Sequence, residues 1–165
     1  TTPLKALSNQ KYNDFSEKYG IDKVGLLTGD TSINRGAQIV VMTTEVFRNM
    51  LYGTNFGSVT DNLKDVKYVI LDEVHNMNDE QHGTVWEESI IYCPTNVQIV
   101  ALSATVANAD KLTEWINTVH SRTELINTDF RPVPLRFYYF DSSQPNTLLP
   151  LLTPNGTSNK KFNTA

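Results

Sequence analysis

The chain has 165 residues, 39% of them hydrophobic and 19% charged, with a net charge of −4. That length builds one domain with a sizeable core, and the composition is that of an ordinary globular protein. No apolar stretch is long enough to span a bilayer and no signal-peptide pattern opens the chain, while the acidic balance gives nucleic acid no bulk attraction.

Residues 4–19 read as a helix with Leu7, Phe15 and Tyr19 on one face and Gly20 as its stop. Residues 23–27 form a short strand leading into the turn Thr28-Gly29-Asp30. The near-continuous apolar run over residues 38–42 is a buried strand. Thr43 and Thr44 then cap a helix, with Glu45 in its favourable first turn and Val46, Phe47, Met50 and Leu51 as its apolar face. A loop over residues 52–62 leads to a strand at 68–71, which ends in Asp72-Glu73-Val74-His75. A helix near residues 84–91 and a strand at 97–102 follow, and that strand ends in Ser103-Ala104-Thr105. Asn108 caps the next helix, which buries Leu112, Trp115, Ile116 and Val119. Glu124-Leu125-Ile126 makes a further short strand, Arg131-Pro132-Val133-Pro134 is a stiff connector, and residues 135–140 are extended.

Strands alternating with helices imply an α/β fold with a mostly parallel sheet flanked by helices on both faces. Right-handed crossovers then bring the segment after each strand to one edge of the sheet. That edge collects Gly29-Asp30, Thr43-Thr44-Glu45, Asp72-Glu73-Val74-His75 and Ser103-Ala104-Thr105. Open α/β sheets bind phosphorylated ligands at this edge.

Two adjacent carboxylates are costly to bury without a partner, and a divalent cation removes that cost. Mg²⁺ favours a carboxylate with retained waters, so Asp72 is the candidate for water-mediated Mg²⁺ and Glu73 for orienting water at a γ-phosphate. His75 would sense that phosphate, and the hydroxyls of Ser103 and Thr105 would relay the nucleotide state; alone, the Ser-Ala-Thr triplet equally suits a helix approach. Lys5 and the helix start after Pro3 can hold a nucleic-acid phosphate or simply open an amphipathic helix. Thr43-Thr44-Glu45 caps a helix with or without a phosphate ligand. His82 and His120 stand outside any metal-ligand spacing, and Trp86 and Trp115 fit a core. Cys93, the single cysteine, excludes an internal disulfide and fits a reducing, cytoplasmic compartment. The sequon at Asn155 is coincidental without a secretion signal. No Gly-rich phosphate loop occurs in the sequence. The abrupt start at Thr1-Thr2-Pro3 reads as an internal fragment of a longer protein.

Together these motifs resemble the superkiller-like DExH-box RNA helicases of helicase superfamily two. The resemblance runs from Pro3 to about Phe140 through PLKALSNQK, TGD, MTTEVFRNMLY, LDEVH, LSATVAN and FRPVPL. VWEESIIYCP before LSATVAN looks most like the cyanobacterial and plastid branch. The resemblance implies a first RecA-like domain of the P-loop NTPase type over residues 1–140, truncated at its N-terminus, with 141–165 as linker or the start of the next region. It implies ATP and Mg²⁺ as cofactors and RNA as the partner, unwound in the 3′-to-5′ direction. Asp72 and Glu73 then belong to the Mg²⁺ and water site, His75 couples, and Ser103 and Thr105 connect hydrolysis to strand movement. Pro3, Lys5, Ala6, Gly29, Asp30, Thr44 and Glu45 line the RNA track. The family's phosphate loop, the strand before it and the second RecA-like domain lie outside the sequence, so the piece alone is expected to be inactive. His82-Gly83 replaces the arginine-glycine common in the family. A non-catalytic helicase-like scaffold and a DNA-directed helicase of the same superfamily are the alternatives.

Overall fold

The computed structural model describes residues 1–53, 63–78, 83–104, 108–128, 130, 132–140 and 148–150. They fall into two compact units, Thr1–Leu125 and Ile126–Ala165. No helix among them is long and apolar enough to cross a membrane.

In the first unit, helix α1 (Lys5–Tyr19) precedes strands β1 (Val24–Leu27), β2 (Ser32–Ile33) and β3 (Ile39–Met42). These form a sheet of order β2-β1-β3, with β1 and β3 parallel and β2 antiparallel at the edge. Helix α2 (Thr44–Leu51) leads to β4 (Tyr68–Leu71), the 3-10 turn Val74–Asn78, helix α3 (Gly83–Tyr92), β5 (Gln98–Ala101) and helix α4 (Ala109–Val119). Strands β4 and β5 pair in parallel.

Thr1 and Thr2 join the two sheets. Thr2 N donates to Met42 O at 3.0 Å and Thr44 N to Thr2 O at 3.0 Å on the β3 side. On the β4 side, the Thr1 amine donates to Ile70 O and Asp72 N donates to Thr1 O. Both patterns are those of a parallel ladder. All the parallel strands therefore point the same way and end on one edge.

Alternation along the strands sorts the core into two clusters. Leu27 and Met42 face α2, α3 and α4, joining Val46, Phe47, Leu71, Trp86, Ile90 and Ile116 in the larger cluster. Val24, Leu26 and Val41 pack against Tyr12 and Phe15 of α1. Helices thus cover both faces of β1 and β3. On β4, Val69 and Leu71 are buried while Tyr68 and Ile70 are exposed, so among the described residues helices cover one face of that strand.

The expected elements recur within about two residues, with four differences. Tyr12, not Tyr19, packs beside Phe15; Tyr19 is exposed at the end of the helix. Thr43 and Asn108 occupy N-cap positions without a side-chain cap hydrogen bond. The Thr44 hydroxyl donates instead to Thr2 O at 3.1 Å, because the sheet junction offers a buried acceptor. Glu124-Leu125-Ile126 is not a strand; all three residues are exposed, and among the described residues no strand pairs with them. β2, two residues long, escapes any periodic signal. Trp86 is buried and Trp115 packs against the same core, as their helical spacing predicts.

In the second unit, β6 (Tyr138–Phe140) pairs antiparallel with β7 (Leu148–Pro150), in line with the extended reading of residues 135–140.

Candidate functional site at the carboxyl edge of the sheet

The polar segments meet where the strands end. Thr28-Gly29-Asp30 follows β1, Thr43-Thr44-Glu45 follows β3, Asp72-Glu73-Val74-His75 follows β4, and Ser103-Ala104 follows β5. Thr105 lies outside the described residues.

The turn after β4 is tied at several points. Leu102 N donates to Leu71 O at 2.8 Å, and Val74 N donates to Leu102 O at 2.9 Å. Val74 is buried, so an apolar anchor separates the acidic pair from the histidine. Glu73 adopts a φ of 60°, the left-handed region that a side chain of its size rarely occupies. Two donors of Asn76 hold its carbonyl, the backbone N at 3.0 Å and Nδ2 at 2.9 Å. Asp72 Oδ1 accepts from Glu73 N at 3.1 Å. Strand alternation would have sent Asp72 and Glu73 to opposite faces; the left-handed residue turns the chain so that both stand at the strand's end. His75 Nδ1 lies 3.3 Å from Glu73 Oε2 without the alignment of a hydrogen bond.

Asp72 has a further partner that sequence spacing did not reveal. Lys11, in the second turn of α1, places Nζ 3.0 Å from Asp72 Oδ2. Lys5, at the start of α1, pairs with Asp30, which also accepts from Thr28 Oγ1 at 2.9 Å. The Lys5 hydrogen bond, followed by that of Thr28, holds the Asp30 carboxyl below its ordinary range. Lys5 therefore opens α1 with its charge already paired. Ala6, Gly29 and Glu45 are exposed, Pro3 is half-buried, and Thr44 is buried at the sheet junction.

Other candidates settle into structural roles. His120 is buried, with Nε2 3.2 Å from Pro94 O and Nδ1 2.8 Å from Ser121 Oγ. A carbonyl only accepts, so Nε2 carries a proton, and in the neutral ring the serine hydroxyl donates to Nδ1. Burial pushes the Cys93 thiol up to about 11, which leaves it unreactive. His82 lies outside the described residues, but Gly83 is informative. A Cβ there would stand 2.2 Å from Met77 O, so α3 begins in direct backbone contact with the turn that carries His75.

Among the described residues, no group of three or more His, Cys, Asp or Glu side chains is placed to hold a metal ion. Mg²⁺ does not need such a cage: it takes one or two carboxylates and completes its shell with water and substrate phosphates. Asp72, part-buried at a strand end beside Glu73, fits that donor set.

Residues 1–112 match the DEAD/DEAH box helicase family. The chain is similar to the chloroplastic DExH-box ATP-dependent RNA helicase DExH15 of Arabidopsis thaliana, 54% identical over 164 residues, which are 98% of this chain and 14% of that protein. Superkiller complex protein 2 of Mus musculus is 47% identical over 89% of this chain and 11% of its own length. Exosome RNA helicase MTR4 of Homo sapiens is 46% identical over 100% of this chain and 15% of its own. Among solved structures, S. cerevisiae Dbp5 bound to Nup159, Gle1, IP6 and ADP matches with a TM-score of 0.53 at 25% identity, over 77% of this chain and 34% of that one. The fold is that of a RecA-like helicase domain, and the chain spans about one seventh of the first of these relatives. On the match over residues 1–112, the chain belongs to the DEAD/DEAH box helicase family.

Proposed function

We propose that residues 1–140 are the greater part of the first RecA-like domain of an ATP-dependent RNA helicase, with 141–165 leading to the next region. The observation that carries this reading is the left-handed Glu73 at the end of β4, flanked by Asp72 and His75 and tied to β5 through Val74 N and Leu102 O. Backbone strain of this kind collects where a side chain must be aimed.

Asp72 would hold Mg²⁺ through its water shell. When bound, the ion would supply positive charge to offset the charge that develops at the γ-phosphate. The Glu73 carboxylate accepts a hydrogen bond from the attacking water and points its oxygen at phosphorus. His75, beside Glu73, responds to the same phosphate. The Val74–Leu102 hydrogen bond would carry a shift of this turn to Ser103, which follows Leu102 directly. RNA would run over Pro3, Lys5, Ala6, Gly29, Asp30 and Glu45, with Thr44 buried beneath that surface as a support rather than a contact. A phosphate reaching Lys5 must replace Asp30 as its partner, so that contact is an exchange of anions. The phosphate-binding loop and the second RecA-like domain belong to the rest of the polypeptide. A cytoplasmic location and a 3′-to-5′ direction are part of the same proposal.

Glu73→Gln in the full-length protein tests the assignment. It keeps the shape and removes the base, so ATP binding should persist while RNA-stimulated turnover falls at least about 100-fold. Wild-type turnover would remove Glu73 from the mechanism. Strand displacement on matched RNA and DNA duplexes then distinguishes the RNA reading from a DNA-directed one.

A further inference from the structure

Helix α1 carries two lysines that each meet a carboxylate beyond a strand end. Lys5 meets Asp30 after β1, and Lys11 meets Asp72 after β4. The first pair is more than half exposed on both sides, whereas the Asp72 side chain is only 21% exposed. The second pair also involves the carboxylate assigned above to Mg²⁺, and the inference rests on that assignment.

Asp72 has two oxygens and both are engaged. Oδ1 accepts from Glu73 N, and Oδ2 faces the Lys11 ammonium. A divalent cation whose water shell reaches the same carboxylate meets the lysine's positive charge a few ångströms away. Like charges at such separation repel strongly in a part-buried site. Lys11 and a bound Mg²⁺ therefore compete for Asp72. Lys11 lies on the helix that begins with Lys5 and Ala6, just after Pro3, the start of the proposed RNA track.

We propose that Lys11 is a positioning residue: it holds Asp72 and α1 together while Mg²⁺-nucleotide is away, and gives up Asp72 when the ion arrives. Nucleotide loading then loosens one end of the tether between α1 and β4, and RNA that shifts α1 changes the affinity for Mg²⁺-nucleotide by the same factor. That reciprocity is a requirement of linkage.

The test uses the full-length protein and a non-hydrolysable fluorescent ATP analogue, titrated with Mg²⁺ and without turnover. Lys11→Met keeps most of the stem and removes the charge. It should lower the Mg²⁺ midpoint for analogue binding about three- to fivefold, the upper part of the range for a part-exposed ion pair. Lys11→Arg keeps the charge and should stay within about twofold of wild type. Single-stranded RNA should shift the wild-type midpoint, and this shift should shrink toward none in Lys11→Met. Lys11→Gln is the second neutral variant, should Lys11→Met fold poorly. A wild-type midpoint in both neutral variants overturns the proposal, provided Asp72→Asn abolishes the Mg²⁺ dependence. Mg²⁺ dependence that survives Asp72→Asn overturns the underlying Mg²⁺ assignment instead, and the role of Lys11 with it.

Discussion

A glutamate at a φ of 60° is an unfavourable residue choice by about 1–2 kcal/mol. The two Asn76 donors on the Glu73 carbonyl offset that cost, and Asn76 is a residue the acidic motif alone would not single out. Charge pairing is the other theme at this scale. Lys5 and Lys11 stand six positions apart on one helix, yet each neutralises a carboxylate at a different strand end. The Asp30 pair predicts a titration. Its folded pKa is depressed, so the pair's contribution is present above the ordinary carboxylate range and is lost as pH falls through the lower folded value. In Lys5→Ala, the Asp30 carboxyl should titrate closer to 3.8 when followed by carbon-detected NMR. An unmoved titration would show that Lys5 does not hold Asp30 in solution.

At the scale of elements, the site is made by where strands stop and what pins the turns behind them. Val74 is sunk into the core between the carboxylates and His75, which sets how far the turn can travel. Gly83 governs how closely α3 approaches that turn. Helix propensity alone predicts that Gly83→Ala stabilises α3 by up to about 1 kcal/mol. A Cβ 2.2 Å from Met77 O reverses the sign, because backbone must move to admit it. We expect a destabilisation of about 1–3 kcal/mol, read as a lower urea midpoint. A raised midpoint would mean that this contact is loose.

For the whole molecule, Thr1 and Thr2 are the hinge of the architecture. Without their hydrogen bonds to β3 and β4, the two sheets would share no ladder among the described residues. Tyr68 and Ile70 stay exposed on one face of β4, and the sequence holds no Gly-rich loop to cradle a triphosphate. The 165-residue chain alone should therefore turn over no ATP with Mg²⁺, with or without RNA. A phosphate-release assay checks this. Mg²⁺-dependent turnover that disappears in Glu73→Gln would overturn it.

The α/β class and the elements that meet at the carboxyl edge were legible in the sequence. Apolar runs such as Ile39-Val40-Val41-Met42 and the helical spacing of Val46, Phe47, Met50 and Leu51 record burial directly, because each period reports one buried face. The carboxylates, histidine and hydroxyls after the apolar runs were legible for a related reason: polar residues that directly follow parallel strands lie at a sheet edge. Caps were misread, since Thr43, Thr44 and Asn108 had hydroxyl or amide chemistry but their hydrogen bonds depended on which acceptors the fold brought close. Glu124-Leu125-Ile126 had strand-like composition but no adjoining strand among the described residues. Lys11 and Asp72 are 61 positions apart, and no local pattern encodes their contact. By itself the sequence determined which segments are strands and helices and what chemistry follows them, because element type is written in short-range periodicity. Only the tertiary structure decided that Glu73 turns left-handed, that Thr1 and Thr2 link the sheets, and that Lys11 holds Asp72, because those depend on which distant strand ends the topology sets side by side.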